Sequence, residues 1–422
     1  MKTSQYNVIK SDTKWAWIYN TFSSSFIKIE YPIWNAIVTN DLFKDRNPIV
    51  KTLTEQGILV EDDENELAKY KYFYNQRIFD QRRLHIDVIP TMQCNFACPY
   101  CFEEGYKNGP MMTDEVEDAL IRFLTAQKER NLSIGWFGGE PMIGFERLLS
   151  ISEKLDKEGI AFTSSMITNG SLFTEEKIRL LERLHLHTIQ ISMDGLAEEH
   201  DKRRCFKSGA PSFDLIVANI TKILALTDIH LSVRVTIDKT NAYAYKEVCD
   251  FFYQKFPKDI EKRKLRLSCN YVRDRTDFAG SSSCYSGEEV FRMGMNYLRK
   301  ELENPFFSFM PHPVGPCMYK SGGSYSIDPV GDIYKCWEHL GKTGYKVGNI
   351  LSGNLSFKKL SEAAFGQDPF DDPKCRECAV LPICGGGCPI DRCKMKNTCS
   401  IYREHFENAL PEIYETYRKK EK

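Results

Sequence analysis

Three cysteines lie within eight residues, in the run Cys94-Asn-Phe-Ala-Cys98-Pro-Tyr-Cys101. A C-x3-C-x2-C loop offers three thiolates, one fewer than the four that close a cubane iron–sulfur cluster. An iron left without a protein ligand can bind and activate a small molecule. Three thiolates can instead hold zinc when a histidine completes the tetrahedron, and His85 is the nearest candidate. A second series reads Cys317, Gly331-x4-Cys336, then Cys375-x2-Cys378-x5-Cys384-x3-Cys388, with Cys393 and Cys399 beyond. A bare C-x2-C fits a zinc ribbon, but the longer series is far more specific. Of the 15 cysteines, three fall at 94–101 and eight between 317 and 399. The scattered four, Cys205, Cys249, Cys269 and Cys284, read as ordinary buried thiols.

The remaining composition narrows the setting of these clusters. A chain of 422 residues exceeds one ordinary core, so two or three domains are expected. The net charge of −1 gives no bulk attraction to nucleic acid or to an anionic membrane. The opening MKTSQYNVIK lacks the apolar core of a signal peptide, and no stretch approaches the ~18–20 apolar residues of a spanning helix. Secreted disulfide proteins are usually short and carry a secretion signal, whereas clustered cysteines in a reducing compartment more often bind metal. The expectation is a cytoplasmic protein with neither nucleic-acid nor membrane partners.

The elements that must position the cysteines follow from periodicity. In residues 1–83, β-like runs at 5–9, 14–20 and 25–29 precede helical patterns at 32–39 and 48–56. A charged stretch at 61–66 and a polar segment at 69–83 then lead onward, and the whole suits a small winged-helix-like module. From residue 84 the pattern alternates. Strands are expected at 84–90, 132–137, 161–168, 188–193, 231–237 and 265–271, separated by amphipathic helices at 114–128, 145–158, 175–184, 212–226, 243–256 and 288–301. Six βα units in series imply a parallel sheet, because each return crossover needs a helix. Six rather than eight suggest an α/β fold with an open, partial (β/α)6 barrel whose site faces the C-terminal strand ends. After about residue 305 glycine, proline and cysteine take over, and such a segment folds poorly unless metal ties it together. A last helix is expected at 401–419.

The first loop follows directly after the first barrel strand. In that place it resembles the signature of the radical S-adenosylmethionine superfamily, with Tyr100 as the aromatic residue before the last cysteine. The resemblance implies a catalytic [4Fe–4S] cluster on Cys94, Cys98 and Cys101. Its unligated iron chelates S-adenosylmethionine, and one-electron cleavage of the sulfonium releases a 5′-deoxyadenosyl radical. Phe137-Gly138-Gly139-Glu140-Pro141 resembles the glycine-rich motif that contacts the methionine amino group, with a plain turn as the alternative. Thr168-Asn169-Gly170 and Ser192-Met193-Asp194-Gly195 fall at later strand ends, so the resemblance places Asn169 and Ser192 near the methionine or ribose. His200-Asp201-Lys-Arg-Arg204 resembles a motif whose arginine pairs with the cofactor carboxylate, and Arg234 is a second candidate.

The C-terminal series resembles the SPASM extension of such enzymes, whose seven cysteines bind two auxiliary [4Fe–4S] clusters. Carried over, Cys317, Cys336 and Cys388 hold the first, and Cys375, Cys378, Cys384 and Cys399 the second, with Cys393 as the alternative to Cys399. Some members supply another cysteine shortly before the position of Cys317, and none occurs at 306–316. The first auxiliary cluster is then one ligand short unless Cys284 or Cys269 reaches it, and an open iron would suit a substrate thiolate. Members of this class act mainly on peptides and draw electrons from a flavodoxin- or ferredoxin-like donor. Anaerobic sulfatase-maturating members carry an aspartate base directly after the cysteine matching Cys336; here Trp337, Glu338 and His339 follow instead. The first 83 residues resemble leader-recognition modules of ribosomal-peptide maturases, which add a peptide strand to a sheet edge; a cap on the barrel is the alternative. The expected division is therefore a leader-recognition-like module at 1–83, a partial barrel at 84–304 and an auxiliary-cluster domain with a terminal helix at 305–422. The favoured activity is a precursor-peptide maturase forming a thioether or other cross-link. Sulfatase maturation is the runner-up, and an iron–sulfur electron carrier or zinc scaffold the non-enzymatic reading.

Overall fold

Two stretches rich in strand-forming residues build the two larger sheets, which differ in kind. The structure, a computed structural model, describes residues 1–39, 47–101, 103, 105, 108–272, 284–299, 310–394 and 399–420. Positions 300–301 of the expected helix at 288–301, and 306–309 of the stretch searched for an extra cysteine, lie outside the described residues. The chain forms two compact units: Met1–Phe79 with Ser286–Ser321 and Ala364–Lys422, and Asp80–Tyr285 with Gly322–Ala363. These units divide the chain differently from the three sequence segments, because core packing claims some residues and strand pairing others.

In the first unit, β1 (Lys2–Thr3) is followed by β2 (Asn7–Ser11), β3 (Trp15–Asn20) and β4 (Phe26–Glu30), and β2-β3-β4 form an antiparallel meander. Helices Tyr31–Val38 and Pro48–Glu55 come next, and β5 (Leu59–Val60) returns to pair with β1. The central strand reads WAWIYN because both of its faces are covered. Ala16 and Ile18 pack with Trp34, Ile37 and Leu53 of the two helices. Trp17 and Tyr19 pack on the other side with Phe406, Leu410 and Ile413 of helix Tyr402–Lys420, where the Tyr19 and Phe406 rings meet edge to face at 5.4 Å. The expected polar segment at 69–83 contains most of a helix, Glu66–Ile78, capped by Asn65 accepting from the Ala68 amide. Its buried Tyr70, Tyr74 and Ile78 recur every fourth residue and pack with Phe370 and Leu381, and Cys375 and Cys378 lie against the same cluster.

In the second unit, six parallel strands run in consecutive spatial order: β6 (Arg83–Val88), β7 (Asn131–Trp136), β8 (Phe162–Thr168), β9 (Leu186–Met193), β10 (His230–Ile237) and β11 (Leu265–Tyr271). The expected strands agree to within two residues at each end. Helices Asp114–Thr125, Phe145–Lys157, Glu175–Leu180, Phe213–Leu226 and Ala244–Lys255 make the crossovers. The first is capped by Thr113, which accepts from the Val116 amide, and it buries Val116, Ala119, Leu120 and Leu124 along one stripe. The sheet does not stop at β6. β12 (Ser324–Ile327) lies parallel to it, with Ser324 opposite His85, and β13 (Asp332–Tyr334), β14 (Gly348–Asn349) and β15 (Asn354–Leu355) continue antiparallel. Residues 322–363 therefore belong with the barrel. Among the described residues no helix is long and apolar enough to cross a membrane.

Candidate active site

The loop after β6 is fixed from three sides before any metal is considered. Gln93 O accepts the Glu140 amide at 2.8 Å, and Thr91 O accepts the Gly139 amide at 3.3 Å. Asn95 donates to Ser171 Oγ at 2.9 Å and accepts from Asn169 Nδ2 at 2.7 Å. The Ala97 amide donates to Cys205 O and the Lys207 amide to Asn95 O, while Phe96, fully buried, packs edge to face on Phe206 at 4.9 Å. Cys98 is buried and Cys94 and Cys101 are half-buried. Burial pushes the Cys94 thiol up to about 11, the Phe96 amide pulls it down, and the nearby charges of Glu140, Cys98 and Arg204 act in turn. A thiol so placed is protonated at neutral pH, and metal binding would displace the proton.

Around the loop lies a buried network that joins several strand ends. Tyr100 donates to Asp194 Oδ1 at 2.7 Å and accepts from Arg204 Nη1 at 2.9 Å. Arg203 binds Asp194 Oδ2 at 2.9 Å, Asp238 Oδ2 at 3.1 Å and Thr240 Oγ1 at 3.0 Å. His200 Nδ1 accepts the Asp194 amide, so its other nitrogen donates to Ser212 Oγ at 3.1 Å. Burial, aided by the Arg204 charge, holds His200 down at about 3, which keeps the ring neutral. Asp194, Tyr100 and Arg203 escaped notice as a unit in the sequence because their partners lie far apart along the chain.

Glu140 is wholly buried, and its carboxylate accepts from the Met142 amide at 3.0 Å, Thr168 Oγ1 at 2.7 Å and the Asn169 amide at 2.7 Å. It thereby ties the end of β7 to that of β8. Asn169 Oδ1 accepts from both the amide and the hydroxyl of Ser171, so Asn169 shapes the loop as well as facing it. Gly138 adopts φ +110°, and a Cβ there would meet Thr91 O at 2.6 Å. Ser192 and Arg234 are Cα partners on β9 and β10, half-buried and therefore on one face of the sheet. His85 is engaged by Ser133 and Asp87 through both ring nitrogens, at 2.9 and 3.0 Å, which removes it as a fourth zinc ligand. Cys269 pairs in register with Val235, on the opposite face from Arg234, and lies beside Cys249 of helix Ala244–Lys255. That is the helix-packed side of the sheet, so Cys269 is not available to an auxiliary cluster.

The C-terminal cysteines distribute between the units. Cys336 follows β13 in the barrel unit, and Trp337 after it stacks on Phe137 at 5.5 Å. Cys317, Cys375, Cys378, Cys384, Cys388, Cys393 and Cys399 belong to the other unit. Burial pushes the Cys317 and Cys384 thiols up, and nearby amides, those of Tyr319 and Lys320 at the first and those of Ser400 and Gly386 at the second, pull them down. Gly385, Gly386 and Gly387 take φ +60°, +84° and +76°, a left-handed run that only glycine adopts readily, and the amides of Gly385 and Gly387 close it onto Leu381 O and Cys384 O. The charges of Cys378 and Cys399 act on Cys384, and those of Cys399, Cys378 and Cys375 on Arg403. Cys393 instead acts on Lys320 together with Cys317. Among the described residues no three His, Cys, Asp or Glu side chains yet converge at metal-ligand spacing.

These residues fit an iron–sulfur cluster and a zwitterionic ligand on two counts. Arg204 Nε is buried without a hydrogen-bond partner, although the guanidinium is otherwise anchored on Tyr100. Gly139 has no room for a Cβ, which would stand 2.3–2.4 Å from Met92 O and Gln93 O, so the glycine motif lies backbone to backbone against the loop that carries the three cysteines. Residues 88–249 match the model of the radical SAM superfamily. The barrel is a radical SAM barrel. Such a barrel makes the chain an enzyme and sets aside the electron-carrier and zinc-scaffold readings. The chain is 25% identical to the serine-type anaerobic sulfatase-maturating enzyme of Bacteroides thetaiotaomicron, over 80% of this chain and 92% of that one. In fold, the radical SAM barrel and its surroundings resemble anSMEcpe with bound AdoMet (TM-score 0.60, 19% identity, 80% of this chain and 96% of that one). They also resemble Streptococcus suis SuiB bound to S-adenosylmethionine (TM-score 0.57, 17% identity), here over 96% of this chain and 99% of that one. SuiB bound to its precursor peptide SuiA gives TM-score 0.55 at 15% identity over the same shares.

Proposed function

We propose that this radical SAM enzyme matures a ribosomally made precursor peptide, binding its leader, abstracting a hydrogen atom from the core and closing a cross-link, with a thioether as the first choice. The observation that carries the reading is the likeness in fold to SuiB. It spans 96% of this chain, too much to leave out the 79-residue N-terminal stretch, and SuiB is a protein seen with a precursor peptide. S-adenosylmethionine and the cluster on Cys94, Cys98 and Cys101 would supply the radical that removes hydrogen. The chain itself orients and shields: Arg204 offers its unpartnered Nε to an anionic group, Gly138 and Gly139 let their motif close backbone to backbone on the cysteine loop, and Ser192 and Arg234 line one sheet face. A flavodoxin- or ferredoxin-like donor would supply the electron that cleaves the cofactor; of two further clusters on the C-terminal cysteines, the first would offer an open iron to a substrate thiolate and take up the one electron released when the sulfur bonds to the carbon radical.

Leader binding by strand addition is assigned to β4, an edge of the three-stranded sheet. The Tyr31 amide donates to Lys14 O, so by the two-residue alternation of an antiparallel ladder the amide of Lys28 points away from β3. Lys28→Pro removes that outward donor without touching the internal ladder, while Lys28→Ala keeps it. Leader affinity, measured by fluorescence anisotropy, is expected to fall at least tenfold in Lys28→Pro and to persist in Lys28→Ala. Equal affinities in the two would reject the strand-addition reading. Deleting 1–83 is the poorer test, because it strips helix Tyr402–Lys420 of its packing partner.

Sulfatase maturation is the second reading, favoured by the 25% identity to the Bacteroides enzyme. Against it stands Trp337, which occupies the place of the expected aspartate and is stacked on Phe137. A hydrazide probe separates the two, since formylglycine is an aldehyde and a thioether is not. Hydrazide labelling of a sulfatase peptide would establish the second reading and end the first.

A further inference from the structure

Among the described residues two buried guanidinium nitrogens lack a hydrogen-bond partner, Arg204 Nε and Arg392 Nε. The first lies beside the catalytic loop. The second belongs to helix Pro389–Cys393, in the unit that carries the C-terminal cysteines, and nothing above accounts for it. Its side chain is only 12% exposed, and the guanidinium is held in place from two sides. Nη2 pairs with Asp372 Oδ2 at 2.9 Å, and Nη1 donates to Gly386 O at 3.2 Å and to Cys375 Sγ at 3.5 Å. Asp372 is itself fixed as the cap of helix Pro373–Arg376, where it accepts the Lys374 amide at 2.9 Å. A buried guanidinium strongly favours full hydrogen bonding, so one donor left over points to an acceptor that protein atoms do not supply.

We propose that Arg392 is a positioning residue for the cluster held by Cys375, Cys378, Cys384 and Cys399, donating to Cys375 Sγ through Nη1 and to a cluster sulfur through Nε. The proposal rests on the reading that these four cysteines hold a cluster. Four thiolates around a cubane carry a net charge of two minus, which one-electron reduction by a low-potential donor makes three minus, with no bond broken and no proton moved. Arg392 cannot release its proton, so its charge acts at all working pH. A fixed buried cation beside the sulfurs favours the more negative state and raises the potential of this cluster over that of the same cluster without it. Arg403 provides an internal comparison. Its Nη1 reaches Cys399 Sγ at 3.0 Å, closer than Arg392 comes to Cys375, but it lies on the surface, where solvent and salt screen its charge. Burial, rather than distance, sets which arginine matters more.

The test is an EPR-monitored redox titration of the full chain, reconstituted anaerobically with iron and sulfide, alongside an iron count. In Arg392→Gln one cluster is expected to shift to lower potential by at least about 59 mV, a tenfold change in a one-electron equilibrium. Arg392→Lys keeps most of the wild-type potential, and Arg403→Gln moves it less than Arg392→Gln does. Loss of about four irons from Arg392→Gln but not from Arg392→Lys supports the same role, since a cation is then what retains the cluster. Wild-type potentials in a fully loaded Arg392→Gln, or loss of the irons from both variants, overturn it. A variant with Cys375, Cys378, Cys384 and Cys399 all replaced by alanine checks the underlying reading separately. If it still retains every iron, these cysteines hold no cluster and the role of Arg392 falls with them.

Discussion

Replacing Gly139 by alanine should disable the catalytic loop without removing any ligand. The added Cβ would stand 2.3 Å from Met92 O, 2.4 Å from Gln93 O and 2.6 Å from Gln93 C, all backbone atoms of the residues that lead into Cys94. Ordinary contact begins near 3.4 Å, so one of the two segments must retreat by about 1 Å. Holding the present geometry costs about 1–3 kcal/mol of overpacking. Retreating loosens the bonds from Glu140 N to Gln93 O and from Gly139 N to Thr91 O, worth about 1 kcal/mol each. The costs are comparable, so the loop will shift part of the way. A displacement near 1 Å between cofactor and ligands slows a reaction about 100-fold. The assay is release of 5′-deoxyadenosine under strong reductant and saturating S-adenosylmethionine, with iron counted in the same samples. The rate is expected to fall about 100-fold with iron close to wild type. Gly344→Ala, whose Cβ meets nothing within 4 Å, serves as the control. A Gly139→Ala enzyme within threefold of wild type would refute the close approach of loop and motif.

Other outcomes follow from the same geometry. Arg204→Lys, which keeps charge but loses Nε, is expected to weaken S-adenosylmethionine binding at least tenfold in equilibrium dialysis while leaving the iron content intact. Asp328, buried at the turn between β12 and β13, has its carboxyl pushed up from 3.8 to about 6 by burial. The folded state therefore holds a proton that the unfolded state has released, and the contribution of this group to stability declines as pH rises from about 4 to 6, by about 3 kcal/mol. In Asp328→Asn this slope should vanish from the thermal midpoints of the metal-free protein. Glu140→Gln replaces an acceptor of three bonds by a group with one acceptor oxygen, and should lower the melting midpoint through a loss of about 1–3 kcal/mol.

The barrel was legible because its strands alternate so regularly that their ends could be placed within two residues, and because crossover helices force parallel order. What escaped reading was structure built from residues of mixed character. Helix Glu66–Ile78 looked like a polar linker because its buried stripe is Tyr70, Tyr74 and Ile78, and a tyrosine counts as polar until its ring is packed. β12 is four residues, Ser-Tyr-Ser-Ile, too short to show a period among glycines, and only its register with β6 identifies it. In the site, the cysteine spacing and the glycine motif could be read locally. The link from Tyr100 through Asp194 to Arg203 and Asp238 could not, since a buried ion network has no period and its members are spread from residue 100 to residue 238.

The packing of β3 against helix Tyr402–Lys420 has a consequence for biosynthesis. A ribosome releases β2, β3 and β4 early, yet one face of that sheet stays bare until residues hundreds of positions later have emerged. Contacts of such long sequence separation form slowly and leave apolar surface open to aggregation meanwhile. The cysteines at 375–399 emerge just before the helix that covers the sheet. Loading of iron there and closure of the unit thus compete for the same late interval, so a chaperone or scaffold that delays closure would raise the yield of fully loaded enzyme.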